Sequence, residues 1–285
     1  GLALDGRGCP IVAGYAGERD PCVSGFPVTA GAYDETYNCV MDGIIAKMAE
    51  DGSSLVWGTF IGGQYGDYLH AITLDADDNV IVGGYSNSQE YPTTPGSYQT
   101  ALRRLDDAVV SVLSSDGSSL LWSTFIGGDK DDVCFGISID PRERVLVSGI
   151  TFSPSFPGPG GADELSTLGE TDGFLAVLRA DGSRLLDSHL LGGSGREEDA
   201  LVTAGPSGVP FLVGRTESLD FPTTAGCFQD SLSADVDLFV LRMSPVAVPV
   251  FLQHFSAYRA KQGALVRWEL AVGRDPMLLR LWREA

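Results

Sequence analysis

A repeat of fixed length constrains this sequence more than any other feature. An aromatic residue followed by proline occurs four times, and the differences 91 − 26, 156 − 91 and 221 − 156 are all 65. An aspartate that opens an apolar segment has the same spacing. Self-similarity at one period is the mark of a repeat architecture. The repeated residues are Phe26-Pro27, Tyr91-Pro92, Phe156-Pro157 and Phe221-Pro222, with the aspartates Asp42, Asp107, Asp172 and Asp237.

Each unit contains four short segments that are typical of β-strands. They are rich in β-branched and aromatic residues, and glycine, aspartate, asparagine or proline bounds them. No apolar stripe with a helical period of 3.6 residues occurs, which excludes a helical solenoid. Asp-Gly pairs such as Asp116-Gly117 predict turns in which glycine takes a positive φ. In the second unit the strands are predicted at Ala71–Leu74, Val80–Tyr85, Ala108–Leu113 and Leu120–Phe125.

Four antiparallel strands per unit, repeated along the chain, predict an all-β fold and the blades of a β-propeller. About four blades are predicted over residues 1–245, as units 1–63, 64–128, 129–193 and 194–245. The fourth unit keeps three strands through Leu241 and is expected to lack its fourth. The chain begins inside a repeat unit, so we expect it to belong to a longer parent chain. Whether four units close into a ring stays open.

Residues 246–285 lose the period and predict the truncated start of a β-sandwich. Phe251–Ala260, Gly263–Ala271 and Met277–Ala285 read as strands, the first two joined around Gly263. This segment is too short to bury a core of its own.

Charge and cysteine content narrow the classes of partner and location. The formal net charge of −19 opposes binding to nucleic acid and to anionic membranes, which require basic patches. No run of 18 apolar residues occurs, so direct membrane insertion is not expected. No Cys-x-x-Cys pair is present, which argues against zinc. A disulfide within Cys9, Cys22 and Cys39 is expected if the protein is secreted.

Several of these motifs resemble the bacterial β-propeller repeat known as the SBBP repeat. The resemblance covers about residues 1–243. It departs from the family pattern in the loop at 158–170 and in a cysteine-containing insertion in the first unit. It implies a propeller fold and says little about activity, since a fold does not fix a function. The matching segments are Gly136–Asp140, Asn79–Gly84, Phe221–Gly226 with Phe228, Asp237–Leu241, Asp181-Gly182 and Leu191–Gly193.

The tail Val248–Ala271 resembles the start of an immunoglobulin- or fibronectin-like module. Such modules often lie near the C-terminus of secreted bacterial proteins. Together the two resemblances imply a large bacterial protein that is extracellular or attached to the cell surface.

Acidic residues bracket the first strand of each unit. Asp67, Asp132 and Glu197 share a position before it, while Asp5, Asp75 and Asp140 share the position after it. If the first strands ring a channel, each set lies near one rim, where carboxylates could bind a cation or a basic partner. The alternative is that they cap turns and accept backbone hydrogen bonds.

The segment from Asp75 to Asn79 begins like a calcium-binding loop. Asp75, Asp77 and Asn79 place oxygen atoms at alternating positions, which suits Ca²⁺. The glycine expected at the sixth position is absent, because Val80 stands there. A plain β-turn is the competing interpretation.

No residue pattern for nucleophilic catalysis is present, and an enzyme is not favoured. The three histidines fall at unrelated repeat positions, and an aspartate repeated in every unit indicates structure, because a catalytic group is needed once. The leading hypothesis is a non-enzymatic scaffold or recognition protein that binds an unknown protein or glycan. The alternatives are a carbohydrate-active or other hydrolytic propeller, with carboxylates at the channel mouth, and a structural spacer or filament component.

Overall fold

The protein is all-β throughout the residues described by the computed structural model, which are 1–17, 24–38, 40–158, 164–165, 168–232, 235–243, 249–260 and 263–270. These residues form strands and turns, and no helix occurs among them. The predicted all-β class with repeated four-stranded antiparallel sheets is therefore confirmed.

Each of the first three units forms one four-stranded antiparallel sheet. In sheets 1 and 2 the strands lie side by side in chain order, as in a meander. Sheet 1 contains β1 (Leu2–Leu4), β2 (Pro10–Ala16), β3 (Asp42–Met48) and β4 (Leu55–Ile61). Sheet 2 contains β5 (Asp67–Leu74), β6 (Val80–Ser86), β7 (Asp107–Leu113) and β8 (Leu120–Ile126).

Sheet 3 contains β9 (Asp132–Ile139), β10 (Val145–Thr151), β13 (Asp172–Leu178) and β14 (Leu185–Leu191). The long connection within this sheet carries a small ribbon of its own, β11 (Phe156–Pro157) paired with β12 (Glu164–Leu165). This ribbon lies where the sequence departs from the repeat.

Sheet 4 contains β15 (Glu197–Ala204), β16 (Pro210–Thr216) and β17 (Asp237–Met243), and the chain then continues into β18 (Pro249–Ala260) and β19 (Gly263–Leu270). The expectation that this unit lacks a fourth strand is wrong. β18 pairs with β17 through Leu241 and Phe251, because an unpaired strand edge accepts extended backbone of almost any sequence. β18 and β19 form the predicted antiparallel pair. The third predicted tail strand, Met277–Ala285, lies outside the described residues.

The predicted strands of the second unit are confirmed, with one difference at the start. β5 begins at Asp67, four residues before the predicted Ala71, and a β-bulge lies between Leu69 and Ala71. The bulge places His70 out of register, which breaks the period-2 pattern that sequence reasoning follows. The Asp-Gly turns also hold, since Gly52, Gly117 and Gly182 have φ values of 68°, 70° and 67°.

Apolar side chains fill the space between consecutive sheets, so the molecule has three cores in series. Ile45 and Phe125 belong to the core between sheets 1 and 2. Val110 and Phe174 belong to the core between sheets 2 and 3. Leu175 of sheet 3 and Phe239 of sheet 4 belong to the core between sheets 3 and 4. Burying large side chains on both faces stabilises each inner sheet by about 1.5–3 kcal/mol per residue.

The first strand of each sheet carries much of this packing, because β5, β9 and β15 each contact the preceding sheet. The aromatic residues of two of the repeated aromatic-proline pairs, Tyr91 and Phe156, are buried and fix their long loops. Phe156 is fully buried against Phe174, with ring centroids 4.7 Å apart.

The cysteines give a partial answer to the disulfide prediction. Cys9, Cys134 and Cys227 form no disulfide. Cys22 and Cys39 lie outside the described residues, so pairing between them stays a prediction.

Candidate functional site

The three acidic residues that precede the first strands are buried. Asp67, Asp132 and Glu197 have no solvent exposure. Each accepts a hydrogen bond from the backbone N–H of the second glycine in the repeated Gly-Gly pair. The distance between Gly63 N and Asp67 Oδ2 is 2.7 Å. Binding of a cation or a basic partner by these carboxylates therefore stays a prediction that their burial does not favour.

Serine and threonine hydroxyls complete the surroundings of these three carboxylates. Ser88 donates to Asp67 over 3.0 Å and Ser153 donates to Asp132 over 2.8 Å. Ser218 donates to Glu197 Oε1 over 2.6 Å, as does Thr216. Buried carboxylates need such donors to offset the loss of water.

A second set of buried acids faces the first set across each sheet junction. Asp42, Asp107 and Asp172 open the third strand of sheets 1 to 3 and are fully buried. Each accepts a backbone N–H from four residues earlier on Oδ2, as Asp107 does from Arg103 over 2.9 Å. Their Oδ1 atoms are buried without a hydrogen-bond partner. A buried acceptor atom without a hydrogen-bond partner costs folding free energy unless it is protonated or a donor reaches it.

The first glycine of each Gly-Gly pair separates the two sets. A Cβ atom on Gly62 would lie 2.6 Å from Asp67 Oδ2 and 3.0 Å from Asp42 Oδ1. The same construction on Gly192 meets both Asp172 and Glu197. Pairs of carboxyl groups from adjacent sheets therefore approach one another where only glycine fits.

The pKa values reflect this environment. Burial raises the pKa of Asp42, Asp67, Asp107 and Asp172 to about 6, against hydrogen bonds that act in the opposite direction. Burial raises the pKa of Asp132 to about 7, and the charge of Asp107 adds a smaller increase. Like charges that share a site disfavour double ionisation. The arrangement can hold a proton, but it offers no access to a substrate.

The acids that follow the first strands have a different role. Asp5, Asp75 and Asp140 each accept two backbone N–H groups on Oδ1, from the residues two and four positions later; for Asp140 both distances are 2.9 Å. This is the side-chain turn that aspartate favours. The second oxygen is also engaged, by Lys47 on Asp5 over 2.7 Å and by the Arg144 guanidinium on Asp140 over 2.6 Å.

The calcium-like segment folds as the same turn. The Asn79 side-chain amide donates to Asp75 Oδ2 over 2.9 Å, so an N–H donor occupies the direction that a cation would need. Over the described ranges, no three His, Cys, Asp or Glu residues come together in a metal-binding arrangement. Ca²⁺ binding by Asp75, Asp77 and Asn79 stays a prediction that these contacts do not favour.

Sequence reasoning missed an open cleft between sheets 1 and 2, at the end where these turns lie. Its volume is about 620 Å³. The Gly6 N–H donates to Asp78 Oδ1 over 3.0 Å, which ties the two sheets together at its edge. The lining residues include Arg7, Lys47, Trp57, Asp77 and Asp116.

One signal in the sequence could have found this cleft. Lys47 occupies a repeat position that is Val112 in sheet 2 and Val177 in sheet 3. The position is apolar in the two inner sheets and charged again in sheet 4, as Arg242, so a charged residue there marks a unit whose surroundings differ from those of the inner sheets. The Lys47 ammonium holds the pKa of Asp5 at about 2, mainly through their hydrogen bond.

The comparisons with known proteins add no relative. No protein-family model matches the sequence, and no curated protein matches it. Within the part of the chain that the structure describes, no helix is long and apolar enough to span a membrane. The internal repeat and the geometry of its sheets therefore remain the main basis for placing this chain.

Proposed function

We propose that the four sheets are consecutive blades of a β-propeller of the bacterial SBBP type, exposed outside the cell or on its surface. The same relation recurs at each junction, because β5, β9 and β15 pack on the sheet before them and bury one core each. Radial repetition of four-stranded sheets is the usual context for such packing. In this proposal residues 246–285 open an immunoglobulin- or fibronectin-like module.

We further propose that the protein is a non-enzymatic recognition scaffold and that the cleft between sheets 1 and 2 takes a glycan. The carrying observation is that the fold itself uses the repeated carboxylates, whereas the cleft is open. Its lining includes Lys47, whose position is valine in sheets 2 and 3. Its lining combines an aromatic side chain, hydroxyl groups and charges of both signs, among them Arg7, Asp77 and Asp116. Concave sites with a few convergent polar groups are the usual binding sites of small ligands.

Binding to immobilised glycans, followed by calorimetry with each glycan retained, tests this proposal. Arg7→Ala and Asp77→Ala should each weaken binding about tenfold, the effect of losing one charge-assisted hydrogen bond. Arg142→Ala is the matched control, because Arg142 holds the same turn position in sheet 3, away from the cleft. Binding to no glycan, or equal effects of all three variants, would remove the assignment.

The hydrolytic alternative makes a different prediction in the same experiment. A glycosidase needs two carboxyl groups that reach the glycosidic bond, and the buried pairs at the junctions have no solvent exposure. Release of shortened glycan that is lost in Asp132→Asn would favour an enzyme over a scaffold. Self-association without any ligand would favour the alternative that the protein is a structural spacer or filament component.

A further inference from the structure

A row of aromatic rings crosses three sheets at the end opposite the cleft. Tyr68 and Tyr85, directly opposed on β5 and β6, stack with centroids 4.7 Å apart and planes inclined by 15°. Tyr15 of sheet 1 meets Tyr68 edge-on at 4.9 Å. On the other side, His70 lies 5.6 Å from Tyr85 and 5.3 Å from Phe135 of sheet 3.

This row is not part of the apolar cores. None of its five residues belongs to the three buried clusters. Tyr15 is 50% exposed, and the other four rings are partly exposed. Aromatic residues that serve packing alone, such as Phe125 and Phe174, are fully buried in this protein. The row is therefore partly open to solvent.

The three tyrosines of the row are confined to the first two sheets. The position of Tyr85 is Ile150 in sheet 3 and Arg215 in sheet 4, and that of Tyr68 is Val133 in sheet 3. A group needed to build every sheet would recur in every unit, as the buried aspartates do. The tyrosines instead distinguish the first two sheets from the others, and Phe135 of sheet 3 stands at the repeat position of His70.

Two carboxylates lie beside the row. Asp106 precedes β7, whose first residue pairs with Ser86 next to Tyr85, and the Asp106 N–H donates to Asp131 Oδ1 over 3.4 Å. Neither carboxylate forms an ion pair with a basic side chain of the described residues. Their negative charge is therefore not neutralised by this part of the chain.

The electrostatics of the tyrosines agree with this placement. Burial raises the pKa of Tyr85 to about 12, and Tyr68, Asp106 and Asp131 add to the increase. The pKa of Tyr68 is raised by burial, then by Tyr15 and Asp106. Burial lowers the pKa of His70, which favours the neutral ring. The row is thus a set of neutral rings in a negative potential.

We infer that this aromatic row, with Asp106 and Asp131, binds the alkylammonium group of a small organic cation. Ring faces attract cations through their quadrupole, and attraction grows when nearby carboxylates add negative potential. A quaternary ammonium is weakly hydrated and covers several rings at once, which suits a row of stacked faces. The net charge of −19 draws cations toward the surface. The inference stands independently of the glycan proposal.

A choline titration, monitored by calorimetry, tests the inference against a neutral molecule of the same shape. 3,3-Dimethylbutan-1-ol replaces the trimethylammonium group of choline with a tert-butyl group. We expect choline to bind at least about fivefold more tightly than this alcohol, the range of one or more cation–π contacts. Equal affinities would contradict a charge-selective site and leave only hydrophobic contact.

Variants locate the site on the row. Tyr15→Leu, at a half-exposed position, and Asp106→Asn should each weaken choline binding by about threefold or more, as expected for loss of a partly exposed cation–π contact or a neighbouring charge. Tyr85→Leu should do so more strongly, and Tyr85→Phe, which keeps the ring, should stay within about twofold. Ile150→Leu, at the same position in sheet 3, is the matched control, and Arg7→Ala in the cleft should have no effect. Unchanged affinity in Tyr15→Leu and Asp106→Asn would overturn the inference.

Discussion

At the scale of single residues, a glycine pair packs against buried acidic residues in the same way at each sheet junction. Gly127 leaves the space that the Asp107 carboxyl group fills, since a Cβ atom there would overlap Asp107 Oδ1 and Cγ. The neighbouring Gly128 supplies its N–H to Asp132 over 2.7 Å. A Cβ atom on Gly128 would also lie 2.7 Å from Ser153 Cβ, so close approach, and not a positive φ, requires both glycines.

A substitution of Gly127 tests this reading. Gly127→Ala should lower the free energy of unfolding by about 1–3 kcal/mol, the usual effect of overpacking a filled site. Urea denaturation at neutral pH measures the change. Gly14→Ala is the matched control, because Gly14 also lies in a sheet but has open space where a Cβ would stand. Equal effects of the two substitutions would contradict the role given to the junction.

The sequence allowed part of this residue-scale picture to be predicted. The aspartate spacing was visible, and the inference that these aspartates are structural agrees with the burial of Asp42, Asp107 and Asp172. The pairing of Asp107 with Asp132 was not visible, because the two residues lie on different strands of different sheets and no sequence period reports that distance. Burial of Asp67, Asp132 and Glu197 also escaped prediction, since acidic residues are usually exposed.

At the scale of elements, the strands follow the apolar pattern and the turns follow aspartate chemistry. The predicted bounds of β6, β7 and β8 differ from the observed ones by a single residue at an end. The start of β5 was missed because the bulge at His70 interrupts the alternation. The fourth strand of sheet 4 was missed because backbone pairing does not require the repeated side chains.

The turn after each first strand supplies a second prediction. Asp140→Ala removes the acceptor of the Arg142 and Arg144 N–H groups and breaks the Arg144 pair, so it should destabilise the protein by about 1–3 kcal/mol. Asp140→Asn keeps an acceptor for both amides and should cost less than half as much. Urea denaturation of both variants at pH 7 checks this. Equal losses would show that charge, and not the turn, is what matters.

At the scale of the whole molecule, each sheet but the last is covered by its successor. Val110 and Leu175 are buried by the following sheet, whereas Val240 at the same repeat position is 38% exposed. Val240 lies beside Val213, its partner on β16, and Leu238 nearby is 73% exposed. Exposed apolar patches of this kind favour association.

Sedimentation velocity over a range of concentrations tests the consequence. A chain of residues 1–285 should self-associate through this face, and Leu238→Lys combined with Val240→Lys should shift it toward the monomer by introducing charge repulsion. Leu121→Lys alters a single exposed leucine on β8 and should leave association unchanged. A monomer at all concentrations, or an equal response to the control, would contradict this use of the face.

The repeated acids serve the sheet junctions, and their burial should make the stability of the fold depend on pH. A carboxyl group with a pKa raised above its ordinary 3.8 holds its proton more tightly when folded. Ionising this group in the folded protein costs free energy of folding. This cost is absent below about pH 4 and fully present above about pH 7. Stability should therefore fall as the pH rises from 5 to about 7.5. His70, whose pKa is lowered, acts in the opposite sense.

The decisive measurement is the free energy of unfolding across these pH values. It is made on the protein and on the triple variant Asp67→Asn, Asp132→Asn and Asp172→Asn. The variant neutralises one acid at each junction and keeps an oxygen to accept the existing hydrogen bonds, and His70 is common to both proteins. The variant should lose most of the fall in stability and exceed the unchanged protein at the upper pH by about 1 kcal/mol or more. The same slope in both proteins would show that the junction acids are not buried pairs and would contradict the account.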